Sequence, residues 1–213
     1  MSVPDECKPP FSAADVEVLK TETPFRGFFR VDKMTLRHRA YRGGWAAPVV
    51  REIFVRGEAA AVLPYDPQRQ EILLVEQFRS GALGWRESPW CLELIAGIAD
   101  KPGEAHEDLV RREAVEEAGI ELEQVEKICH YMPSPGGSDE RLSVFVARAN
   151  LSVAGGIHGQ PDEGEDIRAV KVAVSSIPEL LASGLLDNAA SIVALQWLQL
   201  HKSDLDARWC AAP

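Results

Sequence analysis

Apolar and polar residues alternate along much of the first third of the chain. Alternation with a period of two is typical of a half-buried β-strand, because successive side chains of a strand point to opposite faces. The pattern predicts a β-rich region over residues 14–63. Its strands are expected in the segments DVEVLK, FFRVDKMTLRHRAYR and VVREIFVRGEAAAVLPY, with a hairpin turn at RGGW, residues 42–45.

Five further apolar segments predict strands in the rest of the chain. They are EILLVEQFR, WCLELIAG ending at Gly97, VEKICHYM, RLSVFVARA and IRAVKVAV. Three segments rich in glycine, proline and acidic residues predict loops: SGALGWRESP, PSPGGSDE and GIHGQPDEGED.

Helices are expected at three places: residues 104–118, with Gly119 as the C-terminal stop, and near 176–183 and 188–201. A mixture of strands and helices in this order predicts an α+β fold or an α/β/α sandwich. Residues 1–55 are expected to form a β-rich unit, and residues 56–213 the remaining domain.

Composition and charge limit the classes of function. The net charge of -10 argues against binding to a nucleic-acid backbone, because phosphate contacts require clustered Lys and Arg. The four cysteines have no CxxC spacing, which favours free thiols in a reducing compartment. No apolar run approaches the roughly 20 residues of a membrane span, and the segment MSVPDECKPPFS lacks the features of a signal peptide. We therefore expect a cytoplasmic protein.

Three carboxylates share one predicted helix. Glu113, Glu116 and Glu117 are three and four residues apart, so they project from neighbouring positions, and Glu104 lies near the start of the helix. A solvated acidic surface is the common explanation of such a pattern. The alternative is a site for a hard cation such as Mg²⁺, which prefers carboxylate oxygens and binds together with substrate phosphates.

The spacing of these residues resembles the Nudix box, whose pattern is Gly, five residues, Glu, seven residues and then R-E-U-x-E-E-x-G-U, where U is aliphatic. In this chain Glu104 is followed by seven residues and then by the segment REAVEEAGI, residues 112–120. Ala114 is a soft match at an aliphatic position. Six residues instead of five separate Gly97 from Glu104, so the loop before the helix carries one extra residue.

This resemblance implies the Nudix α/β/α sandwich with a mixed sheet and an N-terminal β-rich dimerisation segment. It implies hydrolysis of a nucleoside diphosphate linked to another moiety, with Mg²⁺, or Mn²⁺ as an alternative, bound by Glu113 and Glu117. Glu116 would be a further ligand or a group behind the ligands. Arg112 and Glu104 would orient the helix and its carboxylates.

Other segments resemble the ADP-ribose pyrophosphatase branch of the family: RGFF, VREIF, EQFR, SPGG, GIHG and DNAAS. In that branch an acidic loop closes over the substrate. The resemblance implies that Glu163 is the catalytic base, that Glu165 is a further metal ligand, and that the backbone carbonyl of Ala96 is another.

The same resemblance implies a set of substrate contacts: Phe28, Arg51, Arg79, Ser134 and Glu140. Guanidinium groups suit a diphosphate, because they bind phosphate oxygens in pairs. By sequence alone, a core aromatic residue in a strand is the favoured interpretation of Phe28. The alternative for the two arginines is that they form surface ion pairs. The resemblance also implies a homodimer in which Phe28 and Arg51 reach the active site of the other subunit.

The resulting prediction is hydrolysis of ADP-ribose, a small-molecule ADP-sugar, to AMP and ribose 5-phosphate. Two alternatives stay open. One is a Nudix hydrolase of another nucleotide sugar or dinucleotide, such as GDP-mannose or NADH. The other is a non-catalytic Nudix domain that binds ADP-ribose. The retained carboxylates argue against the second alternative.

Overall fold

The computed structural model describes residues 3–210 and divides the chain into two compact units. The first comprises the chain up to Gly57 together with Ser134–Glu140, and the second comprises Glu58–Pro133 and Arg141 onward. These units differ from the predicted boundary at residue 55 because the loop at 134–140 pairs with the end of a strand of the first unit. The functional division at residue 55 stays a prediction.

The first unit is a three-stranded antiparallel sheet in the order β1-β2-β3. The turn predicted at RGGW lies between β2 and β3, where Leu36 faces Val49 across the two strands. Phe54, at the end of β3, forms a bridge with Ser138 of the loop. The strands of this unit are β1 Val16–Arg26, β2 Arg30–His38 and β3 Val49–Val55.

The second unit contains a mixed sheet of eight strands in the order β10-β11-β5-β4-β9-β8, with β6 paired to β5 and β7 to β4. The pairing of β4 with β9 is parallel and the other pairings are antiparallel. The strands are β4 Glu58–Asp66, β5 Glu71–Phe78, β6 Trp90–Glu93, β7 Ile95–Ile98, β8 Val125–Tyr131, β9 Arg141–Arg148, β10 Gly156–His158 and β11 Ile167–Ala173.

Helices cover both faces of this sheet, which confirms the predicted α/β/α sandwich. Leu109 and Val110 of α1 are buried on one face with Ala60 and Val62 of β4. Residues of α2 and α3 are buried on the other face with the alternate side chains of β4. The helices are α1 His106–Ala118, α2 Ile177–Ala182 and α3 Ala189–Trp209.

Helix α3 continues for eight residues beyond its predicted end at residue 201, and tertiary contacts explain this extension. Leu205 and Trp209 are buried against the sheet. The buried Tyr65 of β4 donates its hydroxyl hydrogen to the Asp206 carboxylate, and burial raises the pKa of Tyr65. These contacts stabilise a polar segment whose sequence alone does not predict helix.

Other predicted boundaries also differ from the structure. Strand β1 continues past DVEVLK to Arg26, and the predicted loop GIHGQPDEGED contains strand β10. The segment WCLELIAG forms two strands instead of one, because β6 pairs with β5 while β7 pairs with β4, and Leu94 lies between them. Helix α1 begins at His106, two residues later than predicted. Its predicted stop is confirmed, since Gly119 adopts a left-handed conformation with φ of 63°.

Within residues 3–210, no helix combines the length and the apolar character required to cross a bilayer. Cys7, Cys91, Cys129 and Cys210 are all free thiols, as their spacing predicts.

Candidate active site

Helix α1 and strand β7 build the centre of the candidate site. Leu109, Val110, Ala114 and Ala118 bury one face of α1 in the core. This packing presents the neighbouring face, which carries Glu113 and Glu117, to the end of β7. The helix therefore positions its carboxylates on the sheet instead of in bulk solvent.

Glu117 is a buried carboxylate with one backbone partner. Its side chain is only 2% exposed, and its Oε2 accepts a hydrogen bond of 3.1 Å from the backbone N–H of Ala96. Burial raises the pKa of Glu117 to about 8, although the Ala96 hydrogen bond and Arg79 act in the opposite direction. A nearby cation stabilises the ionised form of such a carboxylate, because it replaces the hydration that was lost on burial.

Glu113 lies directly over Gly97 of β7. A Cβ atom on Gly97 would overlap Glu113 Oε1 and lie 2.5 Å from its Cδ, so only glycine leaves room for this side chain. Burial raises the pKa of Glu113 to about 7, with contributions from Glu116 and Glu165, while Arg112 lowers it. Gly97 therefore shapes the floor of the site.

Arg112 connects the acidic residues on its side of the helix. Its guanidinium donates to both oxygens of Glu104, at 3.2 and 3.3 Å, and lies 2.9 Å from Glu113 and 2.8 Å from Glu116. The hydrogen bond from Arg112 lowers the pKa of Glu104. The extra residue before Glu104 is thus accommodated without loss of this pairing, and Glu116 is held by Arg112.

The acidic loop reaches the same cluster. Its segment Pro161–Glu163 is a short 3-10 helix, and the side chain of Glu163 lies outside the described part of the structure. Glu165 Oε2 accepts a hydrogen bond of 3.1 Å from the Gln160 backbone N–H. Its charge raises the pKa of both Glu113 and Glu117. The loop is joined to α1 by the Gly159 N–H, which donates to the Glu116 carbonyl at 3.1 Å.

Arg79 follows β5 and lies within electrostatic reach of Glu117, whose pKa it lowers. Its guanidinium donates to Glu93 Oε2 at 2.8 Å. Glu93 is not among the site residues that the sequence predicted. Pairing of β5 with β6 places Val75 opposite Glu93, and that register could not be read from the sequence.

The acidic groups fit a divalent cation in charge and chemistry, because burial disfavours their ionised forms and they offer oxygen donors. In the described side chains, however, no three His, Cys, Asp or Glu groups are arranged for metal coordination. The ligand set of Ala96, Glu113, Glu116, Glu117 and Glu165 therefore stays a prediction.

The first unit holds four of the predicted substrate contacts. Phe28 is 90% exposed, so the interpretation of Phe28 as a core residue is wrong, and its ring packs edge-on against Phe29 at 4.8 Å between centroids. Arg56 stacks over Phe29 at 4.7 Å and donates to Glu140 Oε1 at 2.9 Å. Glu140 and Phe28 are thereby linked within one aromatic and charged cluster.

The other two contacts lie on the surface of the same unit. Arg51 is exposed on β3, and its guanidinium donates to the Val50 carbonyl at 2.8 Å. Ser134 is exposed at the start of the loop, where its carbonyl accepts hydrogen bonds from the N–H groups of Gly137 and Ser138. The roles of all four residues in substrate binding stay predictions.

We expect the buried carboxylates to make metal-free stability depend on pH. Unfolded glutamates titrate near 4.5, whereas Glu113 and Glu117 titrate near 7 and 8 when folded. Between these values the folded state binds more protons than the unfolded state, so the free energy of unfolding falls as pH rises from about 4.5 to 8, by an amount on the order of several kcal/mol, at about 1.4 kcal/mol per pKa unit.

Denaturant unfolding in EDTA at pH 5 to 8 measures this dependence. Saturating Mg²⁺ is expected to reduce it, since a cation favours the charged carboxylates. The Glu117→Gln variant should show a smaller slope than the wild type. An equal slope in both proteins would contradict the assignment of the effect to Glu117.

The NUDIX domain profile matches residues 55–204, and the chain belongs to the NUDIX family. This confirms the resemblance inferred from the spacing of the carboxylate helix.

Individual relatives of the chain carry more specific names than the family does. The chain is 44% identical over 209 residues to an ADP-ribose pyrophosphatase of Escherichia coli, covering 98% of this chain and 100% of that protein. It is 39% identical to an ADP-ribose pyrophosphatase of Haemophilus influenzae, covering 93% of each. A GDP-mannose pyrophosphatase of Shigella flexneri is 31% identical, covering 70% of this chain and 78% of that protein.

A solved structure described as an ADP compounds hydrolase has the same fold. It superposes with a TM-score of 0.70 at 22% identity, covering 91% of this chain and 98% of that chain. This likeness confirms the fold class.

Proposed function

We propose that this protein hydrolyses the pyrophosphate bond of ADP-ribose to AMP and ribose 5-phosphate with the help of Mg²⁺. The observation that carries the proposal is the pair of buried carboxylates on α1, Glu113 and Glu117, set against β7 of a NUDIX domain. The full-length identity of 44% to an ADP-ribose pyrophosphatase supports the substrate.

The residues of α1 have distinct tasks in this proposal. Glu117 and Glu113 hold the cation, aided by Glu165 and the Ala96 carbonyl, while Arg112 fixes Glu113 and Glu116 by direct ion pairs. When bound, Mg²⁺ neutralises charge on the two phosphoryl groups and lowers the pKa of a water. Glu163 accepts the proton of the attacking water.

The proposed substrate contacts are the residues that the family resemblance implies. Arg79 suits a phosphate oxygen, because its fork of donors matches that geometry. Phe28 offers an exposed aromatic face for a base. Arg51, Ser134 and Glu140 complete the proposed set. The proposal also includes Mn²⁺ as a substitute cation, a homodimer and a cytoplasmic location. Light scattering of the purified protein tests the homodimer.

A hydrolysis panel with and without EDTA tests the function. ADP-ribose, GDP-mannose, NADH and a nucleoside triphosphate are compared by kcat/KM, with chromatography of the products. We expect an EDTA-sensitive preference for ADP-ribose with AMP as a product. A preference for GDP-mannose or NADH would overturn the substrate. Binding of ADP-ribose without turnover would instead favour the non-catalytic alternative.

A second experiment separates the two acidic loop residues. Glu163→Gln is expected to lower kcat by about 10²–10⁴-fold with little change in KM, because removal of a general base slows only the chemical step. Glu165→Gln should instead raise the Mg²⁺ concentration required for half-maximal rate. If Glu163→Gln raises KM and leaves kcat intact, Glu163 is a binding residue and Glu165 becomes the candidate base.

A further inference from the structure

A polar cluster joins the first residue of α1 to the sheet. His106 Nδ1 lies 2.8 Å from the Ser143 hydroxyl of β9, and His106 Nε2 lies 3.1 Å from Glu58 Oε2 at the start of β4. His130 Nδ1 of β8 lies 3.0 Å from the same Ser143 hydroxyl. Glu58 also pairs with Arg141 at 3.1 Å. None of these residues belongs to the predicted active site.

The distances are consistent with a chain of hydrogen bonds through the Ser143 hydroxyl. When His106 Nε2–H donates to the Glu58 carboxylate, its Nδ1 can accept from the Ser143 O–H. The Ser143 oxygen then accepts from His130 Nδ1–H. Ser143 is completely buried, so its hydroxyl cannot reach a substrate as a nucleophile. The cluster is therefore a fixed hydrogen-bonded chain.

The register of the sheet connects this cluster to the carboxylate site. Ala60 of β4 faces Ser143 of β9 on one side and Gly97 of β7 on the other. The three residues form one row across the sheet beneath α1. His106 contacts one end of the row, and Glu113 lies over Gly97 at the other end.

Helix periodicity makes the start of α1 matter for its carboxylates. Glu113 and Glu117 follow His106 by seven and eleven residues, about two and three turns, so the three side chains lie within about 20° of one line along the helix. A shift or rotation of the helix at His106 moves both carboxylates together relative to Gly97 and Ala96.

Helix α1 also has no side-chain N-cap to stabilise its first turn. Its N-cap residue, Ala105, makes no side-chain hydrogen bond to the helix. The apolar contacts of Leu109 and Val110 bury the helix but are non-directional. The hydrogen bonds of His106 are directional, and they fix both the position of the first turn and its rotation about the helix axis.

We propose that His106 is a positioning residue, which sets the carboxylates of α1 for metal binding through its contacts with Ser143 and Glu58. This inference rests on the proposed function for its metal site. It concerns cation affinity, however, and can be tested without turnover.

The test compares three variants of the full chain with Mn²⁺ as the probe, and free Mn²⁺ is measured by electron paramagnetic resonance. His106→Ala is expected to weaken Mn²⁺ binding about 10-fold, the effect typical of losing a group that orients metal ligands. His106→Asn can still accept from Ser143 and should recover most of the affinity. His130→Ala removes an imidazole from the same hydroxyl but not from α1, and should bind Mn²⁺ within about twofold of the wild type.

Measurements are made well below the melting temperature of each variant, with folding checked by circular dichroism. A lower melting temperature for His106→Ala with Mn²⁺ affinity within about twofold of the wild type would make His106 merely structural and overturn the proposal. Equal weakening by His130→Ala would also overturn it. If the wild type binds no Mn²⁺, both this inference and the metal site fail. If it binds Mn²⁺ but does not cleave ADP-ribose, only the proposed function fails.

Discussion

Replacing Glu117 with Gln is expected to lower kcat/KM for ADP-ribose by about 10²–10³-fold, the loss typical of removing one preorganised electrostatic group. The amide keeps the shape of the side chain but carries no charge for a cation. It can still accept the hydrogen bond that Ala96 N–H donates at 3.1 Å, so the local contacts are retained. The loss therefore falls on metal binding and on the chemistry that depends on it.

The stability of the same variant distinguishes this explanation from unfolding. Because Glu117 is 2% exposed and its pKa is raised to about 8, its charge is costly in the metal-free protein at pH 8 and above. We expect Glu117→Gln to unfold at a higher denaturant concentration than the wild type in EDTA at pH 8. Activity is lost while metal-free stability is gained.

Glu107→Gln is the matched control for Glu117→Gln. Glu107 lies on the same helix, but it is exposed, and among the described side chains its ion-pair partner is Arg111, at 2.9 Å. An exposed ion pair of this kind contributes about 0.3–0.5 kcal/mol, so activity should stay within about twofold of the wild type. Wild-type turnover by Glu117→Gln would remove Glu117 from the metal site.

Gly97→Ala is expected to reduce activity by about 10²-fold, since a misplacement of about 1 Å at a reacting centre can have this effect. The added methyl group would overlap Glu113 Oε1 and lie 2.5 Å from Cδ. Glu113 must then move away from β7, or the helix must lift from the sheet. Overpacking of this kind costs about 1–3 kcal/mol in stability.

Gly81→Ala is the control for this substitution, because a Cβ at Gly81 meets no atom within 4 Å and its φ is not positive. Urea unfolding and Mg²⁺-dependent hydrolysis are measured for both variants. If Gly97→Ala is destabilised but keeps wild-type activity at saturating Mg²⁺, the position of Glu113 over Gly97 is not required for catalysis.

Local patterns predicted most of the strands and the carboxylate helix, because alternation and helical spacing depend on neighbouring residues alone. The prediction errors lie mainly in segments whose structure depends on contacts with residues far away in the chain. The segment WCLELIAG divides at Leu94 because its two halves pair with different strands, β5 and β4. Helix α3 continues past residue 201 because Tyr65 and the core hold Asp206 and Trp209.

Features of the candidate site also separate into those that local sequence predicts and those that depend on distant contacts. The sequence by itself determined that Glu113, Glu116 and Glu117 project together, that Gly119 ends their helix and that Arg112 and Glu104 accompany them. These are consequences of spacing along one helix and its flanking turn. The spacing also determined the family, which the domain match at residues 55–204 confirms.

Only the tertiary structure decided which of these carboxylates are buried and what each one contacts. Glu117 is held by the Ala96 backbone N–H, and Glu113 lies over Gly97. The contact between His106 and Ser143 likewise exists because β9, β4 and β7 are neighbours in the sheet. Burial and strand order depend on residues far apart in the chain, and the burial they produce, not the helical spacing, raises the pKa of Glu117 to about 8.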